Sequence, residues 1–251
     1  MSGHSKWAQI KRKKAKNDQQ RGKLFSKLIR EITTAARVGG GDPKGNMRLK
    51  AALEEAKAVN MPADTLKRAI QKGTGELPGA TYEEAVYEGY GPGGVAMMVE
   101  IATDNRNRTI AEIRHTFSKH GGNLGASGCV SWMFNKRGYI VVEKDKADEA
   151  TLLDLITEAG ADDMSEDDNN WEIVSTPAAF HQVVERLKAA QIAPAVAEVS
   201  MIPDNHIKLT GKEASQMMRL MEELEEHEDV QHVYANFDIE ESELHALTQA
   251  R

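Results

Sequence analysis

The chain is poor in the residues that build covalent or metal-based chemistry. It has a single cysteine, Cys129. One thiol excludes a disulfide framework within the chain and a zinc site built on several thiolates. Cys129 is expected as a small buried residue in a strand, because free cysteine is among the most buried residue types. No stretch approaches the ~20 consecutive apolar residues needed to cross a bilayer. Met1 to Lys16 is basic with no apolar stretch after it, so no secretory leader is expected, and Ser2 after Met1 does not fit the myristoylation pattern. A cytoplasmic protein without membrane association is the expectation. The phosphate-binding pattern G-x-x-x-x-G-K-[ST] and the nucleophile pattern G-x-S-x-G are both absent.

Charge of one sign is lacking only on average. Across 251 residues, 32 Lys+Arg face 39 Asp+Glu, a net −7. That total argues against a nucleic-acid binder. Split at the loop Gly73–Gly79, however, residues 1–76 hold 18 Lys+Arg and 7 Asp+Glu, or +11, and residues 77–251 hold 14 and 32, or −18. The asymmetry reads as a basic module joined to acidic ones.

The basic module reads as helical. Asp18 is placed to cap a helix that Gly39-Gly40-Gly41 ends. Leu24, Phe25, Leu28, Ile29, Ile32, Ala35 and Ala36 form its apolar face at helical spacing. Lys23, Lys27, Arg30 and Arg37 fall in an arc of roughly 80° opposite, with Arg21 just before them. Pro62 separates a second helix, Asn46 to Val59, from a third that Gly73 is expected to close. Ahead of this three-helix bundle, Lys6, Lys11, Arg12, Lys13, Lys14 and Lys16 put six cations in eleven residues. Such a run repels itself and is stabilised by a polyanion, whose phosphates release counterions on binding. These eleven cations are the candidate nucleic-acid contacts.

From residue 80 the pattern changes to short strands between helices. Strands are expected at 81–90, 94–103 and 128–134, with a helix at 105–120. A series follows in the order βαββαβ over residues 137–203, the ferredoxin-like arrangement. A helix at 212–226 and a strand at 230–237 close the chain. The fold class is therefore α+β: a helical domain at 1–76, a discontinuous α+β domain at 80–135 plus 206–240, and a second one at 137–203 inserted into it. Arg137 to Val142 half resembles an RNA-binding signature, but Ile140 and Val141 replace its stacking aromatics. With 5 Lys+Arg against 14 Asp+Glu, residues 137–203 also repel phosphate.

Other motifs resolve to structure rather than chemistry. Gly89-x-Gly91-x-x-Gly94 has a strand after it instead of the helix a dinucleotide site needs, and reads as a turn. His227 and His232 would lie ~140° apart on a helix and cannot share a metal. Asp162, Asp163, Glu166, Asp167 and Asp168 read as a solvated acidic edge, and Met217, Met218 and Met221 as core. No metal, cofactor or catalytic set is expected, so the chain reads as non-enzymatic. Arg106 and Arg108 remain as a secondary anion site, because they begin a helix where cations oppose the dipole and backbone N–H groups are free. The glycine-rich loop His120–Gly128 lies near that helix's other end.

Four stretches carry a family resemblance: Gly3-His4-Ser5-Lys6-Trp7, Tyr87 to Gly94, Thr103 to Thr109 and Gly121 to Gly125. Together they resemble the YebC family over essentially the whole chain. The resemblance implies an N-terminal helical domain followed by two α+β domains. Members are described as DNA-binding transcriptional regulators, a mitochondrial relative as a translational activator, and bacterial relatives are tied to the ribosome. A DNA-binding regulator is the reading carried forward, with a translation factor on ribosomal RNA as its alternative.

Overall fold

A computed structural model describes residues 18–167, 169–240 and 242–243, with the side chains of 18–21 and 167 left aside. The chain forms two compact units. Among the described residues, one is built from residues 18–130 and Leu209–Ala235, the other from Ser131–Lys208 and the described residues of 236–243.

The first unit opens with three helices, α1 (Asp18–Gly39), α2 (Met47–Ala58) and α3 (Ala63–Thr74). Their core joins Leu28, Ile32, Leu49, Leu53 and Leu66 to five buried alanines, Ala35, Ala36, Ala52, Ala56 and Ala69. The small side chains allow close helix approach, and Gly73 carries this furthest. A Cβ there would stand 2.4 Å from the Thr33 carbonyl oxygen and 2.7 Å from the Ala36 Cβ. Gly73 is thus a contact residue inside α3 rather than its terminator. The helix ends at Gly75, whose φ of +83° is the left-handed stop.

The same unit holds an antiparallel sheet of order β3-β1-β2-β9, from β1 (Glu83–Tyr90), β2 (Ala96–Thr103), β3 (Asn123–Leu124) and β9 (Val230–Ala235). Gly91 to Gly94 is the turn between β1 and β2, as read from the sequence. Two further helices belong to this unit, α4 (Arg106–Lys119) and α7 (Gly211–Glu226). They bury Ile113 and Phe117 on one and the methionine stripe Met217, Met218 and Met221 on the other.

The strand expected at 128–134 does not form. Ser131–Met133 is a single 3-10 turn, Cys129 is only half-buried, and the outer strand comes from the glycine-rich loop instead. Gly89 and Gly122 permit this, since a Cβ on either would lie 2.5 Å from a carbonyl oxygen across the pair.

The second unit is a four-stranded antiparallel sheet, order β5-β6-β4-β7, with β4 (Phe134–Glu143), β5 (Ala161–Asp167), β6 (Asn170–Ser175) and β7 (Val196–Pro203). With α5 (Glu149–Glu158) and α6 (Phe180–Ala189) it is the ferredoxin-like βαββαβ. Ile140 and Val142 face a core with Leu152, Ile156, Val183 and Leu187. Tyr139 and Val141 alternate to a second cluster with Val196 and are buried there. Residues 206–208 and 236–240, expected with the discontinuous domain, differ from that expectation. β8 (Ile207–Lys208) pairs in parallel with β10 (Phe237–Asp238) within this unit. The strand expected to run through 237 breaks at fully buried Asn236.

Candidate nucleic-acid interface

The candidate contacts Lys6, Lys11, Arg12, Lys13, Lys14 and Lys16 lie outside the described residues, as does the side chain of Arg21. The remaining four are on α1, and the fold divides them. Lys23, Lys27 and Arg30 recur at i, i+4 and i+7 and share one face. That face meets the acidic end of α7 and the turn after it. Lys23 Nζ pairs with Glu226 at 3.0 Å, and Lys27 donates to the Glu225 carbonyl. Arg30 reaches Glu228 at 3.4 Å and Asp229 at 2.7 Å, and its guanidinium lies 5.5 Å from the centre of the Tyr82 ring. The C-terminal end of α7 attracts these cations twice, through carboxylates and through the negative end of its dipole. Arg37 alone of the four is exposed without an ion pair among the described residues.

Asp229 is the hub of this contact. Its side chain is 2% exposed. One oxygen accepts from the Thr109 hydroxyl at 2.6 Å, Arg108 at 2.8 Å and the Thr103 hydroxyl at 3.1 Å, while the other lies against Arg30. Burial by itself would raise the Asp229 carboxyl. The hydrogen bonds from Thr109 and Arg108, the charge of Arg30 and the Thr103 hydroxyl outweigh it, and hold the group below the ordinary carboxylate range.

The expected anion site at Arg106 and Arg108 is therefore split. Arg108 is taken by Asp229 and by Asp104 at 3.0 Å, and only Arg106 stands exposed without an ion pair among the described residues. The cation at a helix start, unfavourable in the isolated sequence, is explained by a carboxylate 121 positions away.

Glu112, His227 and Asp229 also place three ligand-type atoms within 4.8 Å of one another. Their hydrogen bonding does not suit a metal. The Asp229 N–H donates to His227 Nδ1 at 3.1 Å, so Nε2 carries the proton that meets Glu112 at 2.9 Å. A cation at Asp229 would have to displace two guanidinium groups. Beside this clasp a second one forms: Arg48 on α2 grips Glu31 at 2.6 and 2.8 Å and Glu84 at 2.6 and 3.2 Å. Glu31 first and Glu84 second raise the Arg48 guanidinium further above its ordinary value.

Sequence reasoning singled out neither Asp229 nor the Glu84 partner of Arg48. Asp229 and Glu84 look like ordinary members of an acidic domain, and their partners lie far away in the chain. The one available signal was the misplaced Arg108.

Known proteins resemble this one over nearly the whole chain. A family model described as the TACO1/YebC protein N-terminal domain matches residues 5–76, and one described as the TACO1/YebC second and third domain matches 82–237. A "Probable transcriptional regulatory protein" of Acidobacterium capsulatum is 59% identical, over 97% of this chain and 98% of its own length. One of Geobacter sulfurreducens, named in the same terms, is 56% identical, over 98% and 100%. The crystal structure of a conserved hypothetical protein from Aquifex aeolicus is 48% identical, covers 91% of this chain and 94% of its own, and superposes with a TM-score of 0.79.

Proposed function

The chain belongs to the TACO1/YebC family, and from that membership we propose that it is a cytoplasmic, non-enzymatic regulator of gene expression that binds nucleic acid, with DNA as its target. The carrying observation is the +11 charge of residues 1–76 within a net acidic chain. The names of the curated relatives support the regulatory reading. No helix among the described residues is long and apolar enough to cross a membrane.

In this proposal the cations divide by their surroundings. Lys23, Lys27 and Arg30 attach the helical module to the acidic turn, so their contribution to phosphate binding requires that turn to move. The tail from Lys6 to Lys16 is the main contact in this proposal. Arg37, Lys44, Lys50, Lys57, Lys67 and Arg68, exposed and without ion pairs among the described residues, extend it across the helical module. Contacts of this kind supply affinity and register and carry no base sequence.

The test is a salt series on the full-length protein with duplex DNA, structured RNA and ribosomes. Binding to DNA should fall linearly in log K against log salt, by ~0.9 per phosphate contact. Replacing Lys11, Arg12, Lys13 and Lys14 by Gln should lower that slope by roughly 3–4. No binding, or binding indifferent to salt, refutes the proposal. Stronger binding to ribosomes or structured RNA at physiological salt moves the target from DNA to the translation machinery.

A further inference from the structure

The link between α1 and α2 is a rigid corner. Asn46 is 7% exposed and performs three tasks there. Its side-chain oxygen caps α2 by accepting the Leu49 N–H at 3.0 Å. Its amide nitrogen donates to the carbonyls of Ala35 and Gly40 at 2.8 and 2.9 Å, satisfying the open end of α1. Gly39 lies so close that a Cβ on it would stand 2.6 Å from the Asn46 amide nitrogen. The residues on either side of this contact, Val38 and Met47, are 73% and 56% exposed. A tightly hydrogen-bonded corner therefore holds two large apolar side chains out in water.

Their surroundings are cationic. Arg37, Lys44 and Lys50 are exposed and make no ion pair among the described residues. The one acidic residue of the link, Asp42, uses a carboxylate oxygen to accept the Lys44 N–H at 3.0 Å. Two apolar side chains are too small a surface for a membrane, which needs a broad apolar helix face. They suit a nucleic acid, in which phosphates flank apolar base and sugar faces and where Met, Leu and similar side chains wedge into unstacked steps.

Building on the nucleic-acid reading above, we propose that the α1–α2 corner is a wedge. Val38 and Met47 pack against an unstacked or bulged base step, while Arg37, Lys44 and Lys50 take the flanking phosphates. An unpaired step has already lost its stacking, so the corner favours it over a regular duplex.

Fluorescence anisotropy with the full-length protein tests this against a plain DNA duplex, the same duplex carrying a bulge, and a bulged RNA hairpin. The wild type should prefer the bulged probes by about tenfold. The double variant Val38→Ser, Met47→Gln should lose that preference with its salt slope unchanged, because no phosphate contact is removed. The triple variant Arg37→Gln, Lys44→Gln, Lys50→Gln should keep the preference and lose roughly 2–3 units of slope. Leu153→Ser, an exposed apolar residue of the second unit, should change nothing. Circular dichroism confirms that each variant is folded. Wild-type binding with corner variants that behave identically overturns the wedge alone. Failure of the wild type to bind any nucleic acid overturns the functional reading and the wedge with it. Corner-dependent binding to phosphatidylserine vesicles without a bulge preference overturns the choice of partner.

Discussion

Replacing Asp229 by Asn should weaken the attachment of α1 far more than neutralising any neighbouring carboxylate. Asn preserves the shape of the side chain and one acceptor oxygen, so the Thr103 and Thr109 hydroxyls keep a partner. It removes the charge that Arg30 and Arg108 face at 2.7 and 2.8 Å. The Arg30 side chain is 13% exposed. Breaking a buried pair from one side costs about 3–5 kcal/mol, because the remaining charge is left uncompensated. Arg30 keeps Glu228 at 3.4 Å and Arg108 keeps Asp104 at 3.0 Å, which lowers the expected cost to about 2–3 kcal/mol. Glu226 and Glu228 have side chains 52% and 65% exposed, so Glu226→Gln and Glu228→Gln should each cost less than about 1 kcal/mol. Hydrogen exchange over residues 22–39 reads the local opening energy of α1 directly. A cycle with Arg30→Met should give a coupling of at least about 1 kcal/mol. Equal effects for Asp229, Glu226 and Glu228, or a coupling near zero, would refute the hub. The pH dependence has a definite sign. The carboxyl is lowered by folding, so its contribution is full above the unfolded value of ~3.9 and is lost as pH falls through the folded one.

Three further outcomes follow from the same geometry. Glu223 is held down to about 2 by hydrogen bonds from Lys119 and then His120; its contribution should be complete above pH ~5 and vanish between ~4.5 and 2, and Glu223→Gln should flatten acid unfolding there by about 1 kcal/mol after discounting for its exposure. Gly73→Ala should destabilise the helical module by about 1–3 kcal/mol in urea unfolding, since the new methyl meets the Thr33 backbone oxygen at 2.4 Å and helix propensity would otherwise favour alanine. Burial, and next the nearby Glu88 carboxylate, push the Cys129 thiol up; alkylation by iodoacetamide at pH 8 should be slower than for a free cysteine peptide, and an equal or faster rate would contradict that placement.

Much of the architecture was legible because it depends on local pattern. The apolar stripe of α1 became the bundle core, and the βαββαβ order read over 137–203 became the sheet of the second unit. Both rest on periodicities of 3.6 and 2, which neighbouring residues carry among themselves. The failures come from close approaches between segments distant in sequence. Gly128 to Phe134 has strand-like composition, yet Gly89 and Gly122 let Asn123–Leu124 come closer to β1 than side chains would permit. Gly73 resembles a stop signal until its approach to α1 is known.

The cationic stripe marks the division most clearly. Sequence by itself determined that Lys23, Lys27 and Arg30 share a face, because helical geometry puts i, i+4 and i+7 together. It likewise determined that the first third of the chain carries +11. Only the tertiary structure decided what those three residues meet. Their partners lie about 200 positions away at the end of α7, and Coulomb attraction depends on distance in space, on which separation along the chain is silent. The same fold that occupies the stripe leaves Arg37, Lys44 and Lys50 open around an apolar corner.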